Sequence, residues 1–518
     1  MTTSTEIVLG PPGTGKTTTL LNLVEQEMDR GADPSKIGYI TFTRKGANEA
    51  VDRAKKKFGF RDDQMPYFRT IHSLCYRRLG LRSSDVLAGK TLNEFADYAG
   101  IRVTGRAWSD DGMLSGFLEG DRILFLENLA RIRQISLKQQ YDIDNDGLPW
   151  NEVQRVAKAL ETFKKRRGLL DYTDMLLEFV ANGQDAGLDR LFVDESQDLS
   201  ALQWEVVRLL ARTAGRVVVA GDDDQAIFEW AGADVSQFVD MDGNASVLGQ
   251  SWRVPSSVQA VANRVIQGVK HRRDKSWKAK AGDDGEVDYF SDFGGVDLAA
   301  KGSVLVLARN SYVFKDYVEE QLRAQGVVYE IAGKSSIDVD MVRAAGAWED
   351  LKKQMVPLSE ARAMYKYISV AGSANGGVGI KKGNKKLEQF GDDEELLVSV
   401  QELRANGGLC VDSSLPWHVA LDRIPDTDMA YMRAARRNGE RLRGGRPRVR
   451  LSTIHSIKGG EADHVVLMKE MAGRTYMEMN RSETKRDEER RVWYVGVTRA
   501  KQRLSIVEPQ MNRGCPWV

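Results

Sequence analysis

The chain has 518 residues, with 75 Lys and Arg against 74 Asp and Glu and a formal net charge of +1. Its length exceeds what one hydrophobic core supports and calls for three or four packed units, and 42% hydrophobic with 29% charged residues excludes a disordered chain. There is no run of about eighteen apolar residues, the opening MTTSTEIVLG lacks a basic-then-apolar leader, and Cys75, Cys410 and Cys515 form no CxxC pair, so a membrane span, a secretion signal, structural zinc and disulfides are all unexpected and a cytoplasmic setting is expected. Balanced charge excludes a strongly basic global field but not a local basic groove. The basic clusters FKKRR (163–167), HRRDK (271–275), IKKGNKK (380–386) and RRNGERLRGGRPRVR (436–450) are each read first as solvated faces.

In chain order, short apolar runs alternate with helical patterns: EIVLG (6–10), IGYITFT (37–43), RLFVDE (190–195) and RVVVAGD (216–222). This alternation predicts a parallel sheet covered by helices on both faces. SVLVLARN (303–310), VVYEI (327–331), VRLSTIH (449–455), HVVLM (464–468) and RLSIVE (503–508) predict a second α/β unit. Residues 80–185 read as mainly helical, ending in the amphipathic NEVQRVAKALETFKKRR, and residues 345–447 as partly helical and Gly-rich.

GPPGTGKT, Gly10 to Thr17, follows an apolar strand and precedes a helical pattern. In that context Gly10, Pro11, Pro12, Gly13, Thr14 and Gly15 form a loop whose backbone N–H groups can converge on phosphate oxygens. Lys16 can reach the outer phosphates, Thr17 can ligate Mg²⁺, and Thr18 continues the helix start. LFVDESQD (191–198) places Asp194 at the end of a buried strand as a Mg²⁺ partner and Glu195 where it can orient or deprotonate a water. These features predict a nucleoside triphosphate hydrolase but leave its purpose open.

The purpose comes from further blocks in order: TFTRKGANEA (41–50), TIHSLCYR (70–77), LLDYTDML (169–176), AGDDDQAIFEWAGAD (220–234), LGQSWRVP (248–255), STIHSIKGGEADHVVL (452–467) and EERRVWYVGVTRAKQRL (488–504). With the two blocks above, the chain resembles the UvrD/Rep/PcrA-like helicases of superfamily 1. The resemblance implies an α/β chain of two RecA-like parallel-sheet domains of P-loop NTPase type, each with a mainly helical insertion. The expected ranges are 1–80 with 186–246 for the first domain, 81–185 for its insertion, 247–345 with 448–518 for the second, and 346–447 for a reduced accessory insertion.

The resemblance also implies ATP and Mg²⁺ held between the two domains. Arg253 and Arg499 would reach the γ-phosphate, Gln225 would sense it, Glu461 would contact the ribose and Trp252 would stack on the base. Trp230 would stack on a DNA base, with Phe42, Thr43, His72, Thr453 and His455 as further strand contacts. Of the acids beside Gln225, Asp222 is expected near the Mg²⁺ and water network, and Asp223 and Asp224 as turn and capping groups. The implied activity is an ATP-dependent 3′–5′ DNA helicase and single-strand translocase in replication, recombination or repair. The implied partners are single-stranded DNA, single/double-strand junctions and a replication or repair protein; no membrane is involved and the chain is expected to be a monomer. A translocase that displaces proteins with little unwinding and an ATP-gated strand clamp are the alternatives. Three departures from the family pattern stand out. No Gln lies among the nine residues before Gly10, where the family's adenine-reading glutamine is expected; Ala231 replaces a common Arg; and residues 346–447 are short for the accessory insertion.

Overall fold

A computed structural model describes residues 4–41, 44–105, 118–183, 186–298, 302–370, 379–381 and 387–518. The chain forms two units, Met1–Tyr289 with Thr453–Val518, and Phe290–Ser452.

The first unit is built on six parallel strands: β1 Ser4–Leu9, β2 Ile37–Thr41, β3 Phe68–Thr70, β4 Arg190–Asp194, β5 Arg216–Gly221 and β6 Asn244–Val247, in the order β3-β2-β4-β5-β1-β6. Alternate residues of a strand face opposite sides, and both sides here are covered. Ile7, Leu9, Val193, Val217 and Val219 enter the core on one face. Val8, Tyr39, Phe192, Val218 and Ala220 enter the core on the other. The Val, Leu, Ile and Phe side chains among them each contribute about 1.5–3 kcal/mol by leaving water, so the runs read as buried strands form the sheet centre. β3 and β6 are short edge strands, and the residues of β6 are all exposed, which is why no apolar run announces them.

Between β3 and β4 lies the expected helical region, packed on Phe95, Ile123, Val153, Val156, Leu160 and Phe163. Its longest helix, Trp150–Arg167, turns this stripe inward at the i, i+3, i+7, i+10 spacing and stops at Gly168, whose φ of 64° is a left-handed cap. The basic cluster at its end is not merely a solvated face: Lys164 is buried and its Nζ lies 2.6 Å from both Asp171 and Asp174. Later in the same unit, Ala462–Met468 and Ala500–Val507 pair in parallel.

In the second unit, strand Val304–Ala308 is fully buried. Val449–Thr453 pairs in parallel with Tyr329–Ile331, which also pairs antiparallel with Lys334–Ser335. Helices Val339–Leu351, Leu358–Lys366 and Asp426–Arg437 pack around Trp348, Met364, Leu403, Trp417 and Met432. The IKKGNKK cluster lies largely outside the described residues. The α/β class and the parallel-sheet construction are those expected from the sequence.

Candidate active site

The carboxyl ends of β1, β4 and β5 meet at one point, where ligands gather in open α/β sheets. β1 runs into the loop Gly10–Gly15, and helix α1 (Lys16–Asp29) begins at Lys16. Gly10 N donates to Gly221 O at 2.9 Å, so the loop leaves directly beside the end of β5. Gly13 has φ +71°, and a Cβ there would collide with the Arg253 side chain. The curl is thus closed by glycine and by a bond from Thr14 Oγ1 to Pro11 O at 2.8 Å. Pro11 and Pro12 are buried beneath the loop, while Gly15 and Thr18 are exposed on its outer side.

Lys16 and Glu195 form an ion pair at 2.9 Å. Burial opposes the Lys16 ammonium, but the charges of Glu195 and Asp194 outweigh it and hold its pKa above the ordinary value. Burial likewise opposes the Glu195 carboxylate, yet Lys16 and Lys458 bring its pKa down to about 2, so it is ionised at neutral pH. Glu195 has φ 53°, an uncommon left-handed conformation for a non-glycine residue, sustained by Glu195 N on Asp194 Oδ1 and Gln197 Nε2 on Glu195 Oε2 at 2.9 and 2.7 Å. Asp194 Oδ2 accepts from Thr17 Oγ1 at 2.9 Å and from Tyr39 OH at 3.0 Å. A hydroxyl and a carboxylate oxygen this close beside a phosphate loop suit a hard divalent cation. Among the described residues no cluster of three His, Cys, Asp or Glu could hold a metal, so phosphate oxygens and water would complete the shell of such an ion.

Gln225 and Arg499 meet: Arg499 Nη2 donates to Gln225 Oε1 at 2.7 Å. Arg499 is 1% exposed, its Nε donating to Val495 O at 2.9 Å. Burial, helped by the nearby Arg253 charge, draws its pKa down to about 9. Arg253 is fixed by Glu461, Nε to Oε2 at 2.6 Å, so the Glu461 carboxylate is engaged by Arg253. Trp252 is 73% exposed, so its ring is free to stack and core packing does not explain it. The Trp252 backbone N–H donates to Gly13 O at 2.8 Å and Ser251 Oγ to Pro12 O at 2.8 Å, which places this segment directly on the phosphate loop.

Asp223 and Asp224 lie in the expected turn, Asp223–Gln225, but the cap is Asp222, whose Oδ1 accepts from Asp224 N at 3.3 Å. Asp222, Asp223 and Asp224 are buried and surround the fully buried Lys275 Nζ at 3.2, 2.5 and 3.1 Å. Arg272 grips both oxygens of Asp224 at 2.8 and 2.5 Å. The acids are therefore paired with protein cations, and HRRDK, although His271 and Asp274 are exposed, is not merely a solvated face. Asp222 retains a link to the site, since its Oδ2 accepts from Gln225 Nε2 at 2.7 Å.

A few residues on, Trp230 lies against Phe125 and His455, ring centroids 6.4 and 6.3 Å away, with Phe228 6.4 Å from His455. Trp230 and His455 thus come together. Thr453, buried nearby in sequence, shares a hydrogen bond with Ser456 Oγ at 2.7 Å. His72 lines one cavity with Phe125, Phe228 and Ala231, its ring edge-to-face with Tyr172 at 6.3 Å, and desolvation pushes its pKa down to about 4. Phe42 and Thr43 lie outside the described residues.

Sequence reasoning missed Lys458, Asp198 and Tyr39. Lys458 Nζ binds Asp198 at 2.7 and 2.5 Å and Gln225 O at 2.6 Å, joining the DESQD segment to the glutamine. Both charged residues sat inside motif blocks already singled out, as the Lys of SIKGGE and the last Asp of DESQD. Tyr39 looked like one more apolar strand position.

Residues 1–246 match the UvrD/REP helicase N-terminal domain and residues 429–510 the UvrD-like helicase C-terminal domain. DNA helicase II of Escherichia coli is 25% identical over 309 residues, covering 57% of this chain and 42% of that protein. ATP-dependent DNA helicase PcrA of Staphylococcus epidermidis is 25% identical over 312 residues, covering 55% and 41%. The PcrA of Staphylococcus aureus strain Mu50 is 24% identical over 311 residues, covering 53% and 39%. The chain therefore spans about two-fifths of the length of the relatives it matches. With two domain matches in chain order and the phosphate loop, acid pair, glutamine and buried arginine gathered at one sheet end, the chain belongs to the UvrD/REP-type helicase family.

Proposed function

We propose that this protein is an ATP-hydrolysing DNA helicase that translocates on single-stranded DNA in the 3′–5′ direction and acts in replication, recombination or repair. The direction and the cellular role come from the family resemblance alone. So do the division into a first RecA-like domain (1–80 with 186–246) and a second (247–345 with 448–518), the cytoplasmic location, the monomeric state and any protein partner. No helix among the described residues is long and apolar enough to cross a membrane.

The observation that carries the reading is the chain of contacts through residues 222–230. Arg499 donates to Gln225, Gln225 donates to Asp222, and Trp230 follows five residues on beside Phe125 and His455. In this reading Lys16 moves from Glu195 to the outer phosphates of ATP, which leaves Lys458 as the cation beside Glu195 and frees the carboxylate to orient or deprotonate the attacking water. Thr17 and Asp194 would hold Mg²⁺, which when bound neutralises developing phosphate charge. Arg499 and Arg253 would stabilise the transferring phosphoryl group, Trp252 would stack on the base and Glu461 would meet the ribose. An arginine in this role is worth about 10³–10⁵ in rate, or roughly 4–7 kcal/mol. Gln225 responds to loss of the phosphate, and the shift reaches Trp230 through the short turn between them. Trp230, His455, Thr453, His72, Phe42 and Thr43 would grip the strand.

ATP turnover with and without single-stranded DNA, for the parent and for Lys16→Ala, tests the hydrolase. The parent is expected to be strongly stimulated by the strand and Lys16→Ala to be inactive. Turnover indifferent to DNA, or normal turnover by Lys16→Ala, would overturn the reading. Duplexes bearing only a 3′ or only a 5′ single-stranded tail test polarity, and unwinding is expected for the 3′ tail.

A further inference from the structure

We propose that residues 271–280 form a strap that orients Gln225 toward Arg499, with Lys275 as its positioning residue. This rests on the hydrolase reading and extends it to a segment outside the motif blocks.

At one end of the strap Lys275 sits among Asp222, Asp223 and Asp224, Arg272 holds Asp224 through both oxygens, and Arg273 N donates to Asp223 Oδ2 at 2.9 Å. Three adjoining carboxylates buried together repel one another and lose hydration. Burial raises the pKa of Asp222, Lys275 opposes that rise and the neighbouring carboxylates add to it, so removing the cation forces a carboxyl to take up a proton or the turn to open.

The charge on Asp222 matters for the next residue in the chain of contacts. An amide offers an NH₂ on one side and a carbonyl oxygen on the other. An ionised Asp222 accepts only, so Gln225 must present its NH₂ to Asp222 and its oxygen to Arg499, as observed at 2.7 Å on each side. A protonated Asp222 can donate to the amide oxygen. The amide is then free to turn over and aim its NH₂ at the Arg499 guanidinium, donor against donor. Lys275 thus fixes which face of Gln225 meets Arg499 without touching either the amide or the nucleotide pocket.

At its other end the strap is tied to the segment lying on the phosphate loop. Lys278 N donates to Gly249 O, Ser251 N to Lys278 O, and Lys280 N to Val254 O, at 2.8, 2.9 and 2.8 Å, and Gln250 Nε2 donates to Ala279 O at 2.7 Å. That same segment carries Trp252 and Arg253 and bonds to Pro12 and Gly13. The ten residues therefore link the glutamine side of the pocket to the arginine side through protein alone.

The test is a double-mutant cycle on ATP turnover in the presence of single-stranded DNA: parent, Lys275→Met, Gln225→Ala and the double variant, with Lys16→Ala as the inactive reference and thermal melting to verify folding. Lys275→Met is expected to lower kcat by about tenfold or more with the KM for ATP within about threefold, and to cost nothing further in the Gln225→Ala background. Losses that multiply in the double variant, or an unaltered kcat in Lys275→Met, would overturn the proposal. If Lys275→Met does not fold, Asp222→Asn preserves the shape, removes the orienting charge and carries the same cycle with the same two outcomes. A parent no faster than Lys16→Ala would instead overturn the hydrolase reading, and the strap's role with it.

Discussion

Replacing Arg499 by Met separates what this side chain does for the fold from what it does for hydrolysis. Burial draws its pKa well below the ordinary arginine value, down to about 9. A drop of this size corresponds to about 4–5 kcal/mol held against folding at neutral pH, because the unfolded chain binds the proton more tightly than the folded one. Against this stand hydrogen bonds to Gln225 Oε1 and Val495 O at 2.7 and 2.9 Å. Bonds to a charged group return about 1.5–3 kcal/mol each, so the two contributions nearly cancel. An unbranched apolar side chain of similar length fills the space and removes the desolvated charge. The melting midpoint of Arg499→Met is therefore expected to stay within about 4 °C of the parent, while strand-stimulated turnover falls by about 10³–10⁵. Calorimetry and a steady-state ATPase assay read the two quantities independently. A variant that hydrolyses ATP at the parental rate would refute the role given to the guanidinium. A variant that melts far below the parent would refute the energy balance and make Arg499 a structural residue.

Substitutions at two further residues probe the strand side. Trp230→Ala is expected to weaken single-stranded DNA binding by ~1–3 kcal/mol, the worth of one stacked base, with Trp230→Phe retaining most of the affinity; fluorescence titration with an oligonucleotide would detect this, and equal affinities for all three would remove Trp230 from the strand site. His72 makes a pH-dependent contribution. Its folded pKa of about 4 lies below the ordinary 6.5, so between those values the unfolded chain takes up a proton that the folded chain refuses. His72 therefore withdraws up to about 3 kcal/mol as pH falls through that window. Urea unfolding at several pH values should show His72→Asn losing less stability than the parent between pH 7 and pH 4, and parallel curves would contradict the assignment.

The sequence disclosed the fold where burial on both faces of a strand leaves an unbroken apolar run. IGYIT, RLFVD and VVVAG became β2, β4 and the buried part of β5 because a central parallel strand has no polar face to break the run. FRT and NASV were not legible as strands. Edge pairing by three or four residues, exposed along NASV, needs no hydrophobic pattern, and pairing partners far away in the chain leave no mark on the local residues. Helices declared themselves by stripe and cap, as in Trp150–Arg167 and its terminal Gly168.

The site was legible to the extent that its chemistry is local. A phosphate loop needs Gly, Lys and Thr at fixed offsets on one turn, so Lys16 and Thr17 could be named from the sequence, and Asp194 follows from the end of an apolar strand. The acids of GDDDQ show the limit of that approach. Three consecutive carboxylates invite a metal or a set of caps when only neighbouring residues are weighed. Their cations, Arg272 and Lys275, lie about fifty positions on, in a cluster whose composition suggests a solvated surface. Charge alone could not decide between the two, because a buried ion cluster and an exposed basic face use the same residues. The deciding quantity is desolvation: three carboxylates can be taken from water together only if cations accompany them, and that requirement ties a segment of unremarkable composition to the glutamine beside the nucleotide pocket.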